Sequence, residues 1–561
     1  MTIKSILNLV TIVFLFSTNT SWSQTYGKNG MVVCDNEIAS KVGVEILKKG
    51  GNAIDASIAT ALALAVTHPQ AGNIGGGGFL VYLDSNKAAT TIDFREKAPL
   101  AATSNMFLDE NSNLIKGSNH NGAKSIGVPG TIAGLYLAHK KYGTLPWKVL
   151  VQPSVDLAEN GFKLSWALAQ HAKKFNSGNY PKFMKSFFSN HNKKLLSFDE
   201  LWIQKELANT LKLIRDKGKD GFYKGKVAKE IAAFMKANNG LITVKDLAKY
   251  EAVERKPLKG TYKDYEIIAM PPPSSGGVAV IEMLNMMEQA NLDTIPFNSK
   301  PYVHLVAETM RRTFADRAEH LGDPDFNLNM PLDKLTSKKF AKMRYDNINF
   351  NKASVSDSTK FGHPYDGKNT THLSVIDKKG NSVSLTYTLE RSYGSYLGAT
   401  KLGFIFNNEM GDFNPKPGYT NSGWLIGTDP NTIAPEKRML SSMSPTIITK
   451  NGKPYLIIGS PGGRTIINTV FQTILNVLEY NMPIDKAIEA MKIHHQWMPD
   501  RIVYEKDLLS PDTNNELNKM GHKTLEVKNL GRLMGILCPT DESIYIGASD
   551  SSSPDGGAAG Y

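Results

Sequence analysis

The chain has 561 residues, 41% of them hydrophobic and 21% charged, with a formal net charge of +12. That balance supports a sizeable core and excludes global disorder. The positive excess is scattered, with no long Lys/Arg block and no basic run interleaved with aromatics, so a solvated, mildly basic surface is favoured over nucleic-acid binding.

In chain order, Met1 to Lys4 is short and positive, Ile6 to Phe16 is mostly apolar, and Ser21-Trp22-Ser23 offers small residues where a signal peptidase reads. Residues 1–23 therefore read as an export signal whose removal leaves Gln24 first, predicting a periplasmic or secreted protein. The apolar core is short for a membrane span, and no Cys follows it for lipid attachment. The two cysteines, Cys34 and Cys538, form no metal pattern. They read as packing residues, with pairing left open.

Glu37 to Lys49 has the period of an amphipathic helix and ends in a basic turn before Gly50-Gly51. Asn52 is placed to cap an Ala-rich helix through Val66. "GNIGGGGFLVYLD" is a glycine loop feeding a strand, and "TTIDFREKAP" is a strand ending in Arg95. Residues 140–350 read as mostly helical and polar, interrupted by "MPPPSSGG", and residues 350–369 as a surface loop. Strands are then predicted at Leu373–Ile376, Val383–Leu389, Phe404–Phe406, Thr446–Thr449 and Tyr455–Gly459. An amphipathic helix carrying Ile467, Val470, Phe471, Ile474, Leu475 and Leu478 on one face follows. There is no internal repeat.

Asp377 to Asn381 is a strong turn signal between two alternating runs. A turn centred on Lys379 sets Val375 opposite Val383 and Thr370 opposite Thr388, whereas a bulge at Gly380 would shift the pairing by one. Thr386, Thr388 and Glu390 then share one face. Cross-strand threonine pairs are common stabilisers, so the hairpin alone decides nothing. A chemical reading needs a base for the hydroxyl. An N-terminal threonine carries one in its α-amino group, with a reference pKa of roughly 7.7–8.0. Thr370 acquires that group only if the Asn369–Thr370 bond is cut.

Three further segments offer partners for such a nucleophile. Gly459-Ser460-Pro461-Gly462-Gly463, between a strand and a helix start, has the form of an oxyanion loop, although a plain turn has it too. No GKS or GKT follows, which argues against a nucleotide loop. Ser441 and Ser442 precede a strand and read as a hydrogen-bonded turn or a rival nucleophile, but neither G-x-S-x-G nor S-x-x-K is present there. Glu409, Asp412 and Glu390 gather three carboxylates near the hairpin in sequence. His494-His495 lacks a partner at metal spacing and reads as structural.

Taken together, "GGNAIDA…GGGGFLVY", "FREKAP", "VPG", "MRRTFADRAEHLGDPDF", "TTHLSVIDKKGNSVSLTYTL", "LSSMSPTI" and "GSPGG" resemble the γ-glutamyltransferase (γ-glutamyltranspeptidase) family of N-terminal-nucleophile hydrolases. The matches run in order from about residue 30 to the C-terminal "ASD…AAGY". The resemblance implies an α+β, four-layer αββα sandwich built jointly by two subunits: residues 24–369 and residues 370–561, cut apart before Thr370. It implies cleavage of glutathione and related γ-glutamyl compounds through a threonine ester, with transfer to water or to amino acid or dipeptide acceptors, and no cofactor or metal. Carried onto this sequence, Thr370 is the nucleophile and Thr388 orients it. Gly462 and Gly463 supply the oxyanion N–H groups. Arg95, with Ser441 and Ser442, holds the glutamyl α-carboxylate, while Asp412 and Glu409 hold the α-ammonium.

Two positions depart from the family pattern. Glu390 stands where many members carry Asn, and adds a charge that suits an ammonium. In the Pro415–Asp429 stretch, where some members close the site with a tyrosine, the matching position is Gly423, and neighbouring Trp424 is the candidate cover. The competing readings are an acylase of the same fold acting on poly-γ-glutamate or β-lactam side chains, and an exported binding scaffold without catalysis.

Overall fold

The computed structural model describes residues 24–190, 192–356, 370–419 and 428–561. The export signal, Asn369, Gly423 and Trp424 lie outside the described residues. Among those described, no helix is long and apolar enough to cross a membrane.

Two seven-stranded sheets form the centre. The first runs, in spatial order, Gly557–Gly560, Gly30–Cys34, Thr370–Asp377, Ser382–Thr388, Gly77–Leu83, Ala89–Phe94 and Val253–Arg255. The second runs Thr25–Gly27, Tyr545–Ser549, Met534–Leu537, Lys453–Gly459, Thr446–Lys450, Tyr265–Ala269 and Leu258–Tyr262. Neighbouring strands in both are antiparallel. Helices Glu37–Lys48 and Ala53–Thr67 cover the first sheet, and Gly276–Met287 and Thr465–Leu478 cover the second. The result is the expected αββα sandwich.

Alternation along the strands separates the layers. Leu373, Val375, Val383 and Leu385 belong to the core under the first helical layer, together with Val32 and Leu80. Met31, Val33, Phe79, Val81 and Ile376 point into the other core. The inter-sheet face of the central hairpin is small and polar. Ser374 Oγ donates to the Ile457 carbonyl at 3.2 Å and Ser384 Oγ to the Ile458 carbonyl at 3.0 Å, tying the sheets together. His372, also on this face, bonds Thr386 Oγ1 through Nδ1 (2.8 Å) and Ser374 Oγ through Nε2 (3.0 Å). Burial lowers its pKa to about 3, so it is a neutral structural imidazole at physiological pH.

The predicted helix starts are present. Asn52 caps Ala53–Thr67 in a capping box with Asp55. Cys34 and Cys538 are both free and buried. Three sequence readings are corrected. Phe404–Phe406 is not a strand but buried loop, with Phe404 and Phe406 in edge contact at 5.1 Å, an apolar run hidden by packing instead of by a ladder. The supposedly helical middle contains the hairpin Leu258–Tyr262/Tyr265–Ala269, which edges the second sheet. The polar helix within it, Lys300–His320, is largely buried because its charges find internal partners: Glu308 pairs with Arg311 and Arg312, and Asp316 with Arg344.

Candidate active site

The hairpin register places Thr370 directly opposite Thr388, with no bulge at Gly380. The turn is held by Asp377, whose Oδ1 accepts the Lys379 and Asn381 N–H groups at 2.8 and 3.1 Å. Thr370, 4% exposed, begins its strand, and its Oγ1 lies 3.4 Å from Thr388 Oγ1. Thr388 Oγ1 in turn accepts the Glu390 N–H at 2.8 Å. That bond steadies a residue in the left-handed region, since Glu390 has φ +77°. Of the three residues expected on one face, Thr388 and Glu390 line the cavity with Thr370, while Thr386 serves His372 beneath it.

The glycine loop explains how the hairpin is seated. Gly77 pairs with Thr388, and a Cβ on Gly76 would sit 2.0 Å from the Thr388 carbonyl oxygen, so only glycine admits this approach. Asn73 closes the junction by donating to that same carbonyl at 2.9 Å while accepting the Gly76 N–H.

Arg95, just after Ala89–Phe94, lines the cavity and is fully buried. Its Nη1 is 2.5 Å from Glu409 and 3.4 Å from Glu96, and its Nη2 is 2.5 Å from Asp412. Its Nε donates to the Met439 carbonyl at 3.3 Å. Glu409–Asp412 is a single 3₁₀ turn, anchored through Asn407, whose Oδ1 accepts the Glu409 N–H at 3.0 Å. An arginine for one end of a zwitterion and carboxylates for the other thus sit in direct contact. Burial acts against the Arg95 charge, but Glu409, Glu96 and Asp412 outweigh it and raise its pKa.

This cluster holds more acid than base, and burial sorts the protons. Desolvation, opposed by Arg95, lifts Glu96 to about 8. Burial and the Asp412 charge push Glu390 well above the carboxylate range, which favours its neutral form over the anion that the sequence suggests. Glu390 Oε2 accepts from Asn408 Nδ2, and Oε1 lies 3.4 Å from His120 Nδ1. Burial lowers His120 to about 3, making it neutral. Burial also pushes Glu409 upward, but contact with the guanidinium at 2.5 Å makes it the buried acid best placed to keep its charge.

Ser441 and Ser442 also line the cavity. Ser441 is fixed by its backbone: its N–H donates to the Pro273 carbonyl (2.9 Å), and its carbonyl accepts from Ser275 N and Oγ (2.8 and 2.6 Å). Gly463 lines the cavity, whereas Gly462 borders a neighbouring one. Both adopt positive φ, +140° at Gly462 and +61° at Gly463, and Thr465 Oγ1 holds the Gly462 carbonyl at 2.8 Å. His494 and His495 are tied to Asn468 and Asp500 away from this cavity. Sequence reasoning missed Glu96, His120, Asn407 and Arg317. For Arg317 a signal existed: it stands three residues, about one turn, after the apolar Phe314.

A threonine heading an inner strand of an αββα sandwich, facing a pocket of paired charges, defines an N-terminal-nucleophile hydrolase. A cephalosporin acylase from Bacillus halodurans shares the fold, with a TM-score of 0.83 over 99% of both chains at 24% identity. The sequence profile described as Gamma-glutamyltranspeptidase matches residues 39–561, and the chain belongs to that family. The glutathione hydrolase proenzyme of Escherichia coli K12 is 45% identical over 538 residues, covering 95% of this chain and 92% of its own. That of Bacillus subtilis 168 is 40% identical over 549 residues, covering 94% and 90%. The Helicobacter pylori gamma-glutamyltranspeptidase structure is 43% identical with a TM-score of 0.54, covering 57% of this chain and 91% of its own.

Proposed function

We propose that the protein is a self-processing γ-glutamyltransferase and glutathione hydrolase, exported by residues 1–23 to the periplasm or medium. The observation that carries this reading is Thr370 opposite Thr388 at 3.4 Å, in one cavity with Arg95, Glu409, Asp412, Ser441, Ser442 and Gly463. In the precursor, Thr370 Oγ1 attacks the Asn369 carbonyl carbon and the C–N bond breaks, leaving an ester and a free α-amine. Water hydrolyses the ester. Residues 24–369 and 370–561 then stay together as a heterodimer.

In turnover, the freed amine takes the Thr370 hydroxyl proton as Oγ1 attacks the γ-carbonyl of a γ-glutamyl amide. Backbone N–H groups of Gly462 and Gly463 stabilise the oxyanion. The proton passes to the departing amine, leaving a γ-glutamyl ester on Thr370. Water or the amine of an amino acid or dipeptide then attacks the ester carbonyl and releases product. Asp412, whose side chain keeps 29% exposure, is the accessible partner for the substrate ammonium. Ser441, Ser442 and the Arg95 guanidinium receive the α-carboxylate. A cluster of this kind favours a zwitterionic glutamyl group, which can exchange ion pairs with it, over an uncharged acyl side chain, which cannot. N-terminal sequencing combined with a γ-glutamyl anilide assay tests the reading: new termini at Gln24 and Thr370 with anilide release support it. Activity in an uncut chain overturns it.

A further inference from the structure

Phe162–Lys163 and Leu201–Trp202 pair as a two-stranded ribbon outside the two central sheets. Its inner face is fixed by burial of Phe162, Leu164 and Trp202. Trp202 packs on Phe162, Phe187 and Phe188 at ring separations of 5.7, 5.5 and 4.8 Å. Alternation then turns Lys163, Leu201 and Ile203 outward, where polar side chains are the rule. Leu201 and Ile203 flank Gly161, on which a Cβ would lie 3.0 and 2.9 Å from their side chains. The ribbon runs on through Leu164 N–H to the Glu200 carbonyl and Asp199 N–H to the Leu164 carbonyl, both 2.9 Å. At its far end Phe198 meets Trp166 edge to face, 6.1 Å between ring centroids. Trp166, Phe198, Leu201 and Ile203, 40–62% exposed, thus form a single apolar strip.

Charge of one sign surrounds it. Residues 161–204 hold seven lysines against two acids, Asp199 and Glu200, a net +5 in a chain whose total is +12. Lys173 Nζ lies 5.5 Å over the Trp166 ring, and Lys163 stands opposite Leu201. Lys163 pairs with Asp199 at 2.9 Å and Lys194 with Glu200 at 3.5 Å. Both pairs are exposed, so these lysines exchange readily onto other anions.

We propose that this strip docks the protein on an anionic bilayer. The four apolar side chains enter the boundary between headgroups and acyl chains, and the lysines lay their stems beside them and reach the lipid phosphates. Charge selects this occupant. A second copy would bring +5 against +5 and be repelled. A bilayer supplies phosphates in number and receives protruding aromatic and aliphatic groups without a matching cavity.

The test sediments the mature protein with vesicles of phosphatidylcholine alone or of equal parts phosphatidylcholine and phosphatidylglycerol. The protein should pellet with the anionic vesicles only, and added salt should release it. Trp166→Ser combined with Phe198→Ser should lower the partition coefficient ~10-fold, with an unchanged circular dichroism spectrum. Lys163→Gln combined with Lys173→Gln should lower it ~30-fold. If the aromatic variant fails to fold, Leu201→Thr decides: a drop of roughly threefold supports the strip, and an unchanged coefficient overturns it. Equal binding to both vesicle types, binding to neither, or full binding by both double variants overturns the assignment. A dimer in sedimentation equilibrium that Trp166→Ser with Phe198→Ser splits would give the strip to a second copy and overturn it too. None of these readings depends on cleavage at Thr370, so failure of the proposed activity leaves them separately decided.

Discussion

Replacing Thr388 with valine conserves shape and deletes one hydroxyl. That hydroxyl accepts the Glu390 N–H at 2.8 Å and approaches Thr370 Oγ1 at 3.4 Å. Glu390 is 5% exposed, so its N–H would be left without that partner away from solvent, at a cost of about 1–3 kcal/mol. The same bond fixes a residue at φ +77°, where non-glycine backbone carries strain. Loss of Thr388 as an orienting group should also slow self-cleavage ~100-fold, the lower end of a general acid–base effect. Stability is best measured with Thr370→Ala in the background, so that both proteins are uncut. Urea unfolding should then show the double variant less stable by about 1–3 kcal/mol. Processing is followed by gel electrophoresis of Thr388→Val alone. A stability difference below ~0.5 kcal/mol with an unaltered rate of processing would refute the role of this hydroxyl.

Thr370→Ala should give one uncut chain that releases no anilide, and two subunits from this variant would disprove the assigned cut. Gly462→Ala sets a Cβ 2.6 Å from Thr465 Oγ1 at a φ of +140°. It should lower kcat ~10²- to 10³-fold with little change in KM, and steady-state kinetics showing the reverse would remove this loop from transition-state binding. Burial pushes Glu308 upward, but Arg311, Ser354 and Arg312 outweigh it and hold its pKa near 2. A depressed carboxylate contributes stability above its unfolded pKa of about 4.3 and loses it as the pH falls towards the folded value. The stability gap between wild type and Glu308→Gln should therefore shrink by about 2.6 kcal/mol between pH 5 and pH 2. A gap constant with pH in chemical denaturation would show that Glu308 is not the titrating group.

Local signals carried the hairpin furthest. Asp377, Gly380 and the alternating apolar residues specify turn and register together, so Thr370 met Thr388 as expected. Asn52 and the glycine stop after Lys49 bounded their helices because caps act within a few residues. What stayed illegible was charge balance at a distance. Glu390 reads as an anion until Asp412 and burial are added, and Arg317 reads as surface until Ser275 and Ser442 close over it. The Lys300–His320 helix has the composition of a solvated face, yet its partners arrive from residues far along the chain, such as Asp500 on Arg311. Phe404–Phe406 shows the converse: a short apolar run fits a strand or a buried loop equally well, and only packing chooses.

Each sheet draws strands from both sides of residue 370. A cut there would leave two polypeptides woven through both layers, with no interface that separates without destroying the sandwich. Dissociation and unfolding would become one event, and recovery would require two denatured strangers to find each other and rebuild every ladder at once. Durability after maturation would then be governed by how slowly the weave comes undone, and a protein melted once would stay melted.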